Sequence, residues 1–441
     1  MTPDLAPTRR EYFVNSAIPT VQETGDASPF VHQFANGLTL LGERIENVRS
    51  AAMVLLVPAG AANDPDDALG SANVLSDWLL RGAGDRDNRA LTAYLDSLGV
   101  QRFTAADTVF MRFSASMLAK NLPAVLPVYA DILQRPRLPR DGFAAARDLA
   151  LQQIDAMEDE PAQKLNLLLK ERHFPEPFGR PTIGRREHLA ALTAEALRRD
   201  FQRRFTPTGA ILAFAGAIDF AEIRDRTREH LGGWTTRPAV QRPLRSAPCG
   251  DYHLRRPTNQ VQIGLAYDAL PESHPQSILA HLTAGVLSGG MSARLFSEIR
   301  EKQGLCYTVH ADYMSLKHQG AMLGYAGTAP ARAQRTLDSF LFELDRLCHG
   351  VQSDELERAK IGMKSRVIMH GESSAARAAA LAHDYYHYGR PRTLAELRRR
   401  IEAVDIEQLN AFLKANPPGR FTLATIGPEP LHVPRRLQGD Q

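Results

Sequence analysis

The sequence is poor in cysteine. Cys249, Cys306 and Cys348 are its three cysteines in 441 residues, and they lie far apart without a Cys-x-x-Cys pair. Disulfide frameworks and cysteine zinc sites depend on close, regular spacing, so the sequence predicts neither. A chain that does not rely on disulfides fits a reducing compartment, and we expect a cytoplasmic location.

Long hydrophobic runs and an excess of one charge are also missing. The longest early apolar run, residues 51–57, is much shorter than the roughly 20 residues needed to cross a membrane. The first thirty residues contain Asp4, Glu11, Glu23 and Asp26 and no apolar run of signal-peptide length. Lys and Arg number 53 against 50 Asp and Glu, a net charge of +3. This balance gives no electrostatic reason to expect nucleic-acid or membrane partners.

Periodic apolar residues divide the chain into strands and helices. Strands are predicted at residues 30–41, 51–58, 103–114 and 210–216. Helices are predicted at residues 70–82, 88–98, 118–133 and 140–157. Strands are indicated by a period of two and helices by a period near 3.6. This order of elements predicts the α+β fold class.

A pattern of helix, proline-containing break, strand and glycine occurs twice. The first copy covers residues 192–220 and the second covers residues 404–431, roughly half the chain length further on. Such a period indicates duplication, so we predict two tandem homologous α/β sandwich domains. They are placed at residues 28–234 and 249–434. The Pro- and Arg-rich residues 235–248 are interpreted as the linker.

The predicted helix at residues 70–82 has a polar face. Asn73, Ser76 and Asp77 stand at i, i+3 and i+4 on the side opposite its apolar stripe. A helical His-x-x-Glu-His binds zinc through two histidines at i and i+4, and the glutamate activates the zinc-bound water. Here the spacing is present, but the ligands and the base are absent. From the residues alone we interpret the face as a hydrogen-bonded polar surface.

Four segments in order resemble the pitrilysin/insulinase family of zinc metallopeptidases, in the half-length form that includes the mitochondrial processing peptidase and paired bacterial subunits. They are residues 60–84, 147–161, 205–216 and 287–307, and the resemblance extends over residues 28–431. It implies that the zinc motif falls on Asn73, Ser76 and Asp77 and the third ligand on Gln153. All ligands and the base are then replaced. The resemblance implies that this chain binds no metal and that zinc belongs to a partner.

The second half contains a glycine turn, Ser288-Gly289-Gly290-Met291-Ser292. We predict that Ser292 caps the helix that follows and that Gly304 ends it. Glu298 and Lys302, at i and i+4, are predicted to pair on that helix. The strand after Gly304 is predicted to begin near residue 305.

Arg300 lies near the end of that helix and Tyr307 near the start of that strand, so one turn brings a guanidinium and a phenol together. The resemblance implies that this pair reaches a peptide held over zinc, binds its backbone and helps stabilise the oxyanion. It also places Gly289 and Gly290 in the substrate-contacting region. A structural interpretation stays open: an arginine near a helix C-terminus interacts with the helix dipole, and a strand tyrosine is commonly core.

Two other histidines also have helical ligand spacing. His383 and His387 stand at i and i+4, but no glutamate occupies the base position. We predict that they pack or hydrogen-bond with Tyr385 and Tyr386. His281 is predicted to be a satisfied, half-buried histidine.

The resemblance favours one function. We expect the zinc-free subunit of a heterodimeric peptidase that acts on peptides, inactive alone and completed by a homologous zinc-bearing partner. A structural subunit similar to the core proteins of a respiratory complex is the alternative. A third hypothesis is an unorthodox metal site at Asn73, Asp77 and Gln153.

Overall fold

The computed structural model describes residues 28–238 and 242–432. The expectation that the first thirty residues contain no signal peptide mainly concerns residues 1–27, which lie outside the described residues. Parts of the predicted linker, residues 239–241, and of the predicted second domain, residues 433–434, also lie outside them. In the described residues, no helix combines the length and apolar character needed to cross a bilayer.

The first half folds into a sheet covered by helices. Its strands are β1 (Phe30–Gln33), β2 (Thr39–Arg44), β3 (Ser50–Val57), β4 (Gly82–Ala83), β5 (Arg86–Asp87), β6 (Gln101–Ala106), β7 (Met111–Leu118) and β8 (Ile211–Gly216). Its helices are α1 (Ser71–Trp78), α2 (Asn88–Ser97), α3 (Leu122–Gln134), α4 (Arg140–Glu158), α5 (Pro161–His173), α6 (Arg186–Ala191), α7 (Ala194–Arg204) and α8 (Phe220–Leu231). The sheet order is β1-β2-β8-β3-β7-β6, and β2 and β8 are parallel. The buried core on its helical face includes Trp78, Phe113 and Phe214.

The second half repeats this arrangement. Its strands are β9 (Asp251–Arg255), β10 (Val261–Ala269), β11 (Cys306–Ser315), β12 (Gly320–Thr328) and β13 (Thr422–Gly427). Its helices are α9 (Ser277–Ser288), α10 (Ala333–Arg346), α11 (Ser353–Gly371), α12 (Ser374–Tyr388), α13 (Leu394–Glu402) and α14 (Ile406–Ala415). The sheet order is β11-β12-β10-β13-β9, and the last strand of the half, β13, is parallel to its first strand, β9. The strands β8 and β13 that end each predicted repeat occupy matching places, so the predicted fold class is confirmed.

Each half contributes one helix to the outer face of the other half's sheet. Helix α12 packs on β3 and β8, with Leu381 and Ala382 buried against Val54. Helix α5 packs on β10 and β13 through Leu165 and Leu169. These apolar contacts tie the two halves together, because each sheet needs a helix from the other half to cover it. The domain bounds at residues 234 and 249 stay a prediction.

Two predicted strands are each two strands in the structure. Residues 103–114 were expected to be continuous, but β6 and β7 form a hairpin around residues 107–110. The Asp107 carboxylate accepts hydrogen bonds from the amides of Val109 at 2.8 Å and Phe110 at 2.7 Å. This side chain therefore stabilises a turn inside an apolar stretch. Residues 30–41 likewise divide at Gly37, which has φ +88° and lies in a turn that the pattern did not indicate.

Candidate functional site

Helix α1 is held at its N-terminus by a buried aspartate from the preceding loop. The Asp64 carboxylate is fully buried and accepts hydrogen bonds from the amide of Gly70 at 2.7 Å, the amide of Ala72 at 3.0 Å and the Ser71 hydroxyl at 2.9 Å. Arg204 donates to the same carboxylate at 3.0 Å. Burial raises the pKa of Asp64, and the Arg204 charge and these hydrogen bonds oppose that rise. The first turn of an α-helix has amides without partners, so Asp64 acts as its cap from a distance.

The positions predicted from the zinc motif do come together. The Asn73 side-chain amide donates to Gln153 Oε1 at 2.9 Å, which joins α1 to α4. The Ser76 hydroxyl donates to the backbone carbonyl of Asn73 at 2.7 Å. Asp77 pairs with Arg81, which lies just past the end of α1, at 2.5 Å. Each polar group therefore has a partner of its own, and Gln153 is the residue of α4 that faces Asn73.

These donors do not fit a zinc ion. Protein zinc sites use cysteine sulfur, histidine nitrogen or carboxylate oxygen, with three protein ligands in catalytic sites. Here two neutral amides bond to each other, and the single carboxylate of Asp77 is engaged by a guanidinium. Across residues 28–238 and 242–432, no cluster of three His, Cys, Asp or Glu side chains is arranged to hold a metal. The residues at the α1–α4 contact are spaced like the ligands of a metal site, but their side chains form a hydrogen bond between the two helices.

The glycine turn after α9 is exposed and leads into an irregular helix. Gly289 and Gly290 are both exposed, and a Cβ at Gly290 would meet no atom within 4 Å in the described structure. The prediction that Ser292 caps the next helix is wrong: in residues 242–432 no side chain caps it, and its N-cap residue is Leu295. A turn lies between Gly290 and this helix, and in it the Ala293 amide donates to the Gly290 carbonyl at 3.0 Å.

The helix after this turn is a π-helix, Phe296–Lys302, where a regular helix was expected. The predicted pair of Glu298 and Lys302 is present, at 2.8 Å. Gly304 has φ +60° and follows the end of the helix, as predicted. The Leu305 amide donates to the Ile299 carbonyl at 3.0 Å, a longer step than an α-helix makes. π-Helical turns are frequent at functional sites.

Arg300 and Tyr307 lie on either side of that turn with exposed side chains. Arg300 stacks its guanidinium over Phe296, 4.6 Å from the ring centroid. Tyr307 is 60% exposed and stands at a β-bulge, where the pairing of β11 with β12 shifts register. Burial raises the pKa of the Cys306 thiol, and the positive charge of Arg300 opposes that rise. Neither Arg300 nor Tyr307 has a side-chain hydrogen-bond partner in the described part of the chain, and a core role for Tyr307 is excluded by its exposure.

The other predicted histidines lie between the halves, in a network that the sequence did not indicate. His383 and His387 stack with ring centroids 4.3 Å apart, and Tyr386 meets His387 edge-on at 4.7 Å. His281 is half-buried and its Nε2 lies 2.7 Å from a carboxylate oxygen of Glu272. Burial favours the neutral acid at Glu272, but the hydrogen bonds from His281 and Tyr388 outweigh it and lower the pKa to about 2. Glu272 comes from a loop without periodicity, so no local signal marks it.

The duplicated α+β sandwich, with the spacing of a zinc motif on the first helix of its first half, defines a metallopeptidase-type fold. Two models of one family match consecutive parts of the chain. The model described as insulinase (peptidase family M16) matches residues 40–186, and the model described as peptidase M16 inactive domain matches residues 191–363. The chain belongs to the M16, or insulinase, family of peptidases, which confirms the resemblance.

The similarity to known proteins extends over nearly the whole chain. An uncharacterized zinc protease of Mycobacterium tuberculosis is 27% identical over 404 residues, covering 89% of this chain and 91% of that protein. The uncharacterized zinc protease YmxG of Bacillus subtilis is 24% identical, covering 89% and 97%. Among solved structures, a protease from Helicobacter pylori has TM-score 0.83 at 17% identity, covering 91% and 99%. A peptidase M16 inactive domain from Pseudomonas fluorescens has TM-score 0.81 at 20% identity, covering 92% and 100%. Both structures match the fold described above.

Proposed function

We propose that this chain is the zinc-free subunit of a two-chain M16 peptidase. In this proposal a homologous partner supplies an intact His-x-x-Glu-His, and peptides are cleaved at the partner's zinc. Arg300 and Tyr307 of this chain bind the peptide and donate hydrogen bonds to the developing oxyanion. The chain alone is inactive. The observation that carries the proposal is the contrast between a closed first-half site and an open second-half pair.

The first half supports the proposal because its zinc positions are chemically closed. Asn73 and Gln153 satisfy each other, and Asp77 is held by Arg81. A metal ion would have to break both interactions to gain one carboxylate and two weak amide ligands. The chemistry of a zinc peptidase therefore has to come from elsewhere.

The second half supports the proposal because its polar pair is exposed and makes no side-chain hydrogen bond within the described residues. A guanidinium and a phenol are hydrogen-bond donors suited to a peptide carbonyl or an oxyanion. The bulge at Tyr307 turns its side chain out of the regular alternation of β11, a device common next to active sites. The Phe296 ring supports the Arg300 guanidinium without neutralising it.

The test uses a complex of the full chain with an M16 chain from the same organism that carries His-x-x-Glu-His. The two chains are co-expressed and co-purified, and cleavage of a peptide library is measured. Removing one donor to an oxyanion typically lowers kcat by about a hundredfold or more, so Arg300→Ala and Tyr307→Phe should each cause such a loss. Arg335→Ala is the matched control, since Arg335 is an exposed arginine on a helix of the same half.

The outcomes separate the alternatives. Full activity in both Arg300→Ala and Tyr307→Phe complexes would remove the proposed role. A stable complex without peptide cleavage would favour the structural subunit. Turnover by the isolated chain, or one tightly bound zinc per isolated chain, would favour the unorthodox metal site and refute the proposal.

A further inference from the structure

A cavity of 740 Å³ lies between the two halves of the chain. One wall is the outer face of the first sheet and the β6–β7 turn, including Val54, Leu56 and Phe110. The opposite wall consists of α11 and α12, including Met363 and Ala380. Small-molecule sites have volumes of about 300–1,000 Å³ and mainly apolar walls. The size and lining of this cavity therefore suit an apolar ligand body.

The carboxylates that line the cavity are already engaged. Glu272 is hydrogen-bonded by His281 at 2.7 Å. Asp384 accepts from the Arg392 guanidinium at 2.6 Å and from its backbone amide at 3.0 Å. Asp107 accepts from two backbone amides of its own turn. The charge of Asp384 is thus paired with Arg392, and the oxygens of Glu272 and Asp107 are engaged by donors within the chain.

Three lining arginines have no carboxylate partner in residues 28–238 and 242–432. Arg366 is exposed and makes no side-chain hydrogen bond there. Arg400 donates to the carbonyl of Pro275 at 3.1 Å, and Arg112 lies 5.3 Å from the centroid of the Phe103 ring. Guanidinium groups pair strongly with carboxylates and phosphates. The cavity thus combines apolar walls with guanidinium groups that make no salt bridge in the described residues.

One lining side chain is also short of a partner. His387 is 6% exposed, and its Nδ1 is buried without a hydrogen-bond partner in the described structure. Burial and the neighbouring His383 lower the pKa of His387 to about 4, so the ring is neutral at pH 7. The neutral, nearly buried ring therefore adds no charge to the interior of the cavity.

We propose that this cavity binds an elongated amphipathic anion, with its apolar body in the space lined by Leu56, Met363 and Ala380 and its single carboxylate or phosphate at Arg366. Arg366 is exposed, so the anionic group lies at the mouth and the apolar body lies inside. The walls come from both halves, and a ligand there stabilises their contact. This site is separate from Arg300 and Tyr307 and does not depend on the proposed peptidase role.

The test is isothermal titration calorimetry of the full chain with four ten-carbon probes below their micelle concentrations. Decanoate and decyl phosphate distinguish the two anionic groups, decanol lacks charge, and decyltrimethylammonium reverses it. We expect one molecule of decanoate or decyl phosphate per chain and at least tenfold weaker binding of the other two kinds of probe. Failure of both anions to bind, or equal binding of the cationic probe, would overturn the proposal.

Variants separate the cavity from general adsorption to the surface. Arg366→Gln removes the charge at the mouth and should weaken binding of the anion about tenfold. Ala380→Phe places a ring in the cavity and should abolish binding. Arg398→Gln is the matched control, because Arg398 is exposed and does not line the cavity. Anion binding that is unchanged in Arg366→Gln, whose exposed position poses no folding problem, would refute the site as described.

Discussion

Replacing three side chains should convert the α1–α4 junction into a zinc site. The substitutions are Asn73→His, Asp77→His and Gln153→Glu, and Ser76 is kept because a base is not needed for binding. The two helical positions are one turn apart on α1, and the third position is within hydrogen-bonding distance of the first. Histidines at i and i+4 with one carboxylate from a second helix form a tetrahedral site with one open position. We therefore expect one zinc ion per variant chain.

The stability of this variant should respond to zinc in a defined way. Without zinc it loses the hydrogen bond between Asn73 and Gln153, which contributes about 1 kcal/mol. It also loses the pair of Asp77 and Arg81, whose side chains are 34% and 23% exposed, for about 0–1 kcal/mol. Zinc at a thousand times its Kd then adds about 4 kcal/mol, because it binds only the folded chain. The variant should be less stable than the unmodified chain without zinc and more stable with it.

The assay is zinc stoichiometry after dialysis, together with Tm measured with zinc and with chelator. The variant with Asn73→His and Asp77→His but without Gln153→Glu is the matched control, and it should bind zinc more weakly. No zinc in the triple variant would refute our view that only the donors, and not the geometry, are unsuited to zinc. A zinc-dependent Tm in the unmodified chain would refute the zinc-free interpretation altogether.

Three further predictions concern stability, measured from urea unfolding midpoints. Asp64→Ala should destabilise the chain by about 3–5 kcal/mol, because it leaves buried donors unpaired, whereas Asp67→Ala, at an exposed carboxylate that makes no salt bridge in the described residues, should change the stability by no more than about 0.5 kcal/mol. Leu381→Ala should cost about 2–5 kcal/mol, because Leu381 is fully buried where α12 covers the first sheet. The pKa of His387 is lowered to about 4 in the folded chain, so the unfolded chain binds this proton more readily and the free energy of unfolding decreases as the pH falls from 6.5 to 4. In His387→Gln the free energy of unfolding should depend less on pH over this range. An unchanged pH dependence would contradict the assignment.

Local patterns predicted the parts of the site that depend on one element at a time. The spacing of Asn73, Ser76 and Asp77 follows from helical periodicity alone, and the contact with Gln153 followed from the family resemblance. The exchange of α5 and α12 between the halves was not predicted, because the faces of these helices become apolar contacts only when both sheets are in place. Asp64 was missed because it lies in the loop before α1, outside the usual N-cap position, and no fixed spacing marks such an acceptor. The turn at Asp107 was missed because the apolar pattern does not reveal a turn that a side chain stabilises. The π-helix was missed because the apolar pattern does not distinguish it from an α-helix.

The stability of α1 does not depend on its metal-site positions. Leu75 and Trp78 are fully buried and carry its packing, whereas Asn73 and Asp77 lie on the partly exposed face. Loss of zinc ligands at that face therefore leaves a well-packed helix, which an amide pair to α4 further holds in place. In the second half the situation is reversed, because Arg300 and Tyr307 add little to packing and yet occupy a π-helix and a bulge that turn them outward. A stable fold explains the first half without any ligand, whereas the exposed second-half pair suits the peptide-binding role that we propose for it.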